Sequence, residues 1–116
     1  MQKIIYISLP IDTKGYDPII QRRISKMYQR LFELYGCKVI NPFDLAYELD
    51  VCMEFLKDKR VISYQDYLDR CIENVPKATH IFLCNGWSDS KGCIAESEEA
   101  VFYGVKVLFE SNYNLC

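Results

Sequence analysis

Lys3-Ile4-Ile5-Tyr6-Ile7-Ser8-Leu9-Pro10 is the stretch from which the architecture of this chain is read. Residues 3–9 form a short, nearly continuous apolar run rich in isoleucine, the pattern of a strand covered on both faces. Pro10 cannot donate to a ladder, so the strand stops there. Ile11-Asp12-Thr13-Lys14-Gly15 is turn chemistry, and Asp12 belongs to the turn rather than to catalysis. Asp17-Pro18 then joins a helix N-cap to proline at the first helical position. From there Ile20, Ile24, Met27, Leu31 and Leu34 recur at helical spacing, and Gly36 supplies the stop.

The remainder of the chain repeats this strand-then-helix alternation. Cys37 to Asn41 is a second strand, ended by Pro42. Phe43 to Arg60 reads as one helix, with Leu45, Leu49, Cys52 or Met53, and Leu56 in helical period. Ser63 to Val75 is another helix, broken by Pro76-Lys77-Ala78. Thr79 to Cys84 is the third strand, residues 85–90 a loop, Lys91 to Tyr103 a helix closed by Gly104, and Val105 to Phe109 the fourth strand. Glu110 to Cys116 reads as an irregular tail, with room for a fifth short edge strand.

Such alternation means parallel pairing through right-handed crossovers. Strands one and three are the most apolar and belong in the middle; strands two and four carry lysines and suit the edges. The expected fold is therefore a flavodoxin-like three-layer α/β/α domain spanning residues 1–116, with a parallel sheet in the order 2-1-3-4. In sheets of this order the winding reverses between strands one and three, which leaves a ligand crevice at their carboxyl ends. Ser8-Leu9-Pro10-Ile11 and Cys84-Asn85-Gly86-Trp87 bound it.

Composition narrows the classes of function. Half of the 116 residues are hydrophobic, which argues for a packed core and against disorder. The net charge of −2 and the lack of a basic stripe beyond Gln21-Arg22-Arg23 argue against a nucleic-acid groove. No run reaches membrane-spanning length, and the opening residues are too short and β-like for a signal peptide, so the expected location is cytoplasmic, with no membrane partner. The six cysteines form no Cys-x-x-Cys pair and share the chain with a single histidine, His80, so a zinc site is not expected, and no other metal or organic cofactor is implied. Reduced, buried cysteines acting as small hydrophobes account for them.

The loop after strand three carries the most chemistry. Gly86 permits a tight turn. Trp87, the sole tryptophan, either stacks on a planar ring or lids the end of the sheet. Ser88, Asp89 and Ser90 are all competent N-caps, so free N–H groups at the helix start beside them favour a phosphate or carboxylate. Gly92 lets a ligand approach the backbone, and Lys91 adds charge. Glu96 shares a helix face with Cys93, Ala100 and Tyr103, at spacings of three, four and seven. A carboxylate on such a face is partly desolvated, which prepares an acid or a nucleophile; a plain helix-forming glutamate is the other reading. In the preceding helix, Asp66 and Asp69 either aim a carboxylate at the crevice or lie on a solvated face.

Ile5-Tyr6-Ile7-Ser8-x-Pro10-Ile11, Val39-Ile40-Asn41-Pro42 and Gly86-Trp87-x-x-Ser90-x-Gly92-x-x-x-Glu96 together resemble the nucleoside 2-deoxyribosyltransferase superfamily. The likeness is greatest to a short branch from phages and bacteria, and the last motif also resembles the related deoxynucleoside 5′-monophosphate N-glycosidases. The resemblance implies cleavage of an N-glycosidic bond, with Glu96 as the nucleophile; Asp69, two residues from the position of the relatives' acid, is the candidate helper. A covalent deoxyribosyl intermediate would pass its sugar to water or to another base. Ser8, Pro10, Trp87, Ser88, Ser90 and Gly92 would frame a nucleoside or nucleotide, and a homodimer or larger homo-oligomer is implied. Two departures stand out: Leu9 replaces a glycine usual after the first strand, and Cys71 stands where relatives carry an aspartate, with Thr79 at a second such position. They keep open a different class of function, a non-catalytic nucleotide-binding module using the same crevice. A plain interaction domain, dimerising through the helix at 43–60, would bind no ligand.

Overall fold

The apolar runs become four strands, β1 (Ile4–Ser8), β2 (Lys38–Ile40), β3 (His80–Leu83) and β4 (Lys106–Phe109), in a computed structural model that describes residues 2–11, 13–55 and 62–113. Asp12, residues 56–60 of the expected second helix, and the tail's end with Cys116 lie outside the described residues. All pairings are parallel and the order is β2-β1-β3-β4, as the alternation requires. In register, Tyr6 stands beside Ile81 and Ser8 beside Leu83. Glu110–Asn112 forms a 3-10 turn where a fifth edge strand had room, and no fifth strand occurs among the described residues.

The helices are α1 (Pro18–Leu34), α2 (Pro42–Phe55), α3 (Tyr64–Asn74) and α4 (Lys91–Phe102). Each start is marked by local chemistry. The Asp17 carboxylate accepts from the backbone N–H of Ile19 at 2.8 Å, with Pro18 behind it. Ser63 and Asp66 form a reciprocal capping box at α3, so Asp66 is occupied in starting its own helix. Ser90 caps α4 by accepting from the Cys93 N–H at 3.2 Å.

Alternation along β1 divides the core in two. Ile5, Ile7 and Leu9 join Phe82, Cys84 and Tyr28 of α1 on one face. Tyr6 joins Ile81, Leu83, Leu45 of α2 and Ala100 of α4 on the other. The helix α1 matches its expected span but is rotated from its apolar periodicity. Gln21, Ser25 and Tyr28 are the residues it buries, while Ile20, Met27 and Leu34 are exposed. The reason is polar: Gln21 donates to the Pro10 carbonyl at 3.1 Å, and Ser25 accepts from Asn41 at 3.2 Å, tying the helix to both loops it bridges. Among the described residues, no helix is long and apolar enough to cross a membrane.

Candidate functional site

Two residues of β1, one of α4 and the intervening pleat build the centre of the site. Tyr6 and Ser8 are two apart on a strand, so both side chains leave the sheet on the face that α4 covers. On α4, Gly92, Cys93, Glu96 and Ala100 form the buried face, at the spacings read from the sequence. Tyr103, expected on that face, is exposed because the helix ends at Phe102 and Tyr103 only caps it. Glu96 is 6% exposed. One carboxylate oxygen accepts from the Tyr6 hydroxyl and the other from Ser8 Oγ at 3.1 Å.

Among the described residues no cation pairs with this buried carboxylate. Desolvation pushes its pKa up to about 7, against the opposing pull of the two hydroxyl donors. Burial, followed by the neighbouring Glu96 charge, also holds the Tyr6 phenol well above its ordinary range, so it remains a donor. Two thiols flank the pair. Burial, with Glu96 as the next cause, pushes Cys71 up to about 12 and Cys93 up to about 11, which makes both poor nucleophiles at neutral pH.

Glu96 is not sealed off. It lines a pocket of about 330 Å³ bounded by Leu9 and Ile11 after β1, by Pro42, Phe43 and Asp50 of α2, by Tyr64, Tyr67 and Cys71 of α3, and by Ser90 and Gly92 of α4. That volume lies at the small end of ligand pockets. Gly92 is needed for its shape: a methyl there would stand 3.1 Å from the Tyr64 hydroxyl and 3.7 Å from Ser90 Oγ. The pocket opens on the α2–α4 side of the sheet rather than between the two strand ends themselves. Cys84 to Trp87 therefore do not line it.

The structure brings together Glu96, Ser8, Ser90 and Gly92. It separates the others. Pro10 is fully buried beneath α1, its carbonyl taken by Gln21. Trp87 packs on Phe109 with ring centroids 5.8 Å apart, the lid position, outside the pocket wall. Ser88 is exposed in the 3-10 turn Trp87–Asp89. Asp69 is corrected most: it is exposed, accepts from Gln65 at 2.7 Å one turn away, and lies off the pocket wall. An i, i+4 position on the outer face of α3 cannot reach what Cys71 reaches, because two residues turn a helix by more than half a revolution.

Sequence reasoning missed Tyr6, Asp50, Tyr64 and Tyr67. For Tyr6 the signal was present, since a residue two before Ser8 on a strand must share its face. For the others there was no local signal, because α2 and α3 meet the pocket only through tertiary packing. Among the described residues no three His, Cys, Asp or Glu side chains gather as a metal-ligand set. A family model described as a domain of unknown function (DUF4406) matches residues 5–109. No curated protein matches the chain.

Proposed function

We propose, from the premise that this chain belongs to the DUF4406 family of domains of unknown function, that its pocket binds a 2′-deoxynucleoside or its monophosphate and that Glu96 attacks the sugar. The observation that carries the reading is a cation-free buried carboxylate, with pKa near 7, held by two hydroxyls on the wall of a small-molecule pocket. The likeness of the Gly86-to-Glu96 motif to nucleoside 2-deoxyribosyltransferases supplies the substrate class.

In the first step a Glu96 oxygen bonds to the anomeric carbon as the C–N bond breaks, and the bonding pair leaves with the base, which takes a proton from solvent. Positive character on the sugar is stabilised by the carboxylate that captures it. Tyr6 and Ser8 fix the direction of the carboxylate, so that little reorganisation is needed at the moment of attack. Water or a second base then attacks the same carbon, and the Glu96 carboxylate leaves. Ser90 and Gly92, at the start of α4 on the pocket wall, suit a 5′ hydroxyl or phosphate.

Incubation with a panel of 2′-deoxynucleosides and their 5′-monophosphates, followed by chromatography for free base, tests this. Release by the wild type that is lost in Glu96→Ala supports it; no release at saturating substrate ends it as an activity. A second reading, a binding module without turnover, is favoured by Leu9 and Cys71 on the pocket wall, where relatives carry a glycine and an acid. It expects saturable binding with no free base.

A further inference from the structure

The pocket wall has two carboxylates among the described residues, and only one is committed within the protein's core. Glu96 is buried and held on both oxygens by Tyr6 and Ser8. Asp50, on α2, is exposed and lines the same pocket, and its Oδ1 accepts from the Tyr67 hydroxyl at 2.6 Å. No lysine or arginine lines the pocket among the described residues. An exposed carboxylate is an acceptor only, with about four lone-pair sites, and one tyrosine leaves most of them open. Phe43, Tyr64 and Tyr67 add flat apolar surface to the same wall. The sugar-attacking end and the Asp50 end are thus chemically different: one electrophile-seeking and dry, the other aromatic, wetter and rich in acceptor.

We infer that Asp50 reads the base, and that the preferred ligands are 2′-deoxynucleosides whose base presents an amino group rather than a carbonyl to this wall. The inference rests on the nucleoside reading above. An amino group donates to the carboxylate, whereas a carbonyl at the same position sets two acceptors against each other and forfeits the hydration of both. Tyr67 is a positioning residue, which fixes the Asp50 carboxylate by its 2.6 Å hydrogen bond. This places recognition on α2 and α3, apart from the Glu96 chemistry on α4.

Two ligand pairs isolate the amino-to-carbonyl change: 2′-deoxycytidine against 2′-deoxyuridine, and 2′-deoxyadenosine against 2′-deoxyinosine. Binding is measured by calorimetry on Glu96→Gln, whose carboxamide oxygen accepts from one of the two hydroxyls while its NH2 donates to the other, with wild-type KM values as the parallel measurement. The amino member of each pair should bind about tenfold tighter, the scale of one hydrogen bond to a charged group. In Asp50→Asn, whose side chain donates as well as accepts, the ratio should fall to within about twofold. Tyr67→Phe, which removes the hydrogen bond that fixes the Asp50 carboxylate, should shrink the ratio in the same direction. Equal binding within pairs, a carbonyl preference, or a preference that survives in Asp50→Asn overturns the inference while the nucleoside reading stands. Absence of binding by all four overturns both.

Discussion

At Glu96, burial and hydrogen bonding compete over one proton. Burial favours the neutral acid, the Tyr6 and Ser8 hydroxyls favour the anion, and burial prevails to leave a pKa of about 7. Attack on the sugar needs the anion, so kcat/KM for base release should rise with pH to a plateau, with its midpoint near 7 in a pH–rate profile. A profile flat between pH 5 and 9 would contradict Glu96 as the attacking group. Tyr6→Phe removes one of the two donors that lower this pKa, so the same limb should move to higher pH. That variant should also lose about 2 kcal/mol of stability above pH 7, where a buried anion is left with one donor; urea unfolding at pH 8 measures it. Much of this was legible in the residue spacing: Glu96, Cys93 and Ala100 share a helix face whatever the fold. The identity of the donors was not, since Tyr6 lies ninety residues away in sequence.

At the scale of elements, turns and caps make claims that sequence alone can support and the structure can rank. Gly86 has φ 88° and Gly104 has φ 73°, so alanine at either position meets the left-handed penalty of about 1–2 kcal/mol. Their surroundings differ. A methyl on Gly86 would lie 2.3 Å from the Tyr16 hydroxyl, whose ring is held by a 2.8 Å hydrogen bond to Asp89, whereas a methyl on Gly104 meets nothing within 4 Å. Gly86→Ala should therefore lower the urea midpoint more than Gly104→Ala, and equal losses would show that Tyr16 yields freely. Ser90→Ala removes the α4 cap and should cost about 1 kcal/mol in the same measurement. The helix α1 shows the limit of periodicity. Its apolar repeat correctly marked a helix, yet Gln21 and Ser25 take the inner face because hydrogen bonds to Pro10 and Asn41 anchor it there. Hydrophobic spacing does not encode those partners.

For the whole molecule, the raised pKa of Glu96 is also a statement about stability. The folded state holds the proton to about pH 7, while the unfolded chain releases it near the ordinary 4.5. Between these values the folded state binds more protons at this site, so the contribution of Glu96 to stability is fully present below about pH 4.5 and is lost as pH rises through 7. The decline from this one group amounts to about 3 kcal/mol. Glu96→Gln should remove it, so the stability difference between variant and wild type, from urea unfolding at pH 5 and pH 8, should favour the variant more at pH 8. Stability and sugar attack thus run in opposite directions across the same pH window, as expected where a fold carries a strained functional group.

Strand boundaries, helix starts, the parallel order and the inward turn of Glu96 were set by local sequence, because apolar runs, prolines and capping side chains act within a few residues. The position of the pocket was decided only by tertiary packing. Asp50 on α2, Tyr67 on α3 and Glu96 on α4 meet across it because α2, α3 and α4 all cross the same face of the sheet. Asp69 lost its expected place for the same reason: the rotation of α3, fixed by what it packs against, sends Cys71 inward and Asp69 to solvent. Side chains brought together from distant helices depend on such rotations, and a rotation belongs to the assembled core rather than to any one segment.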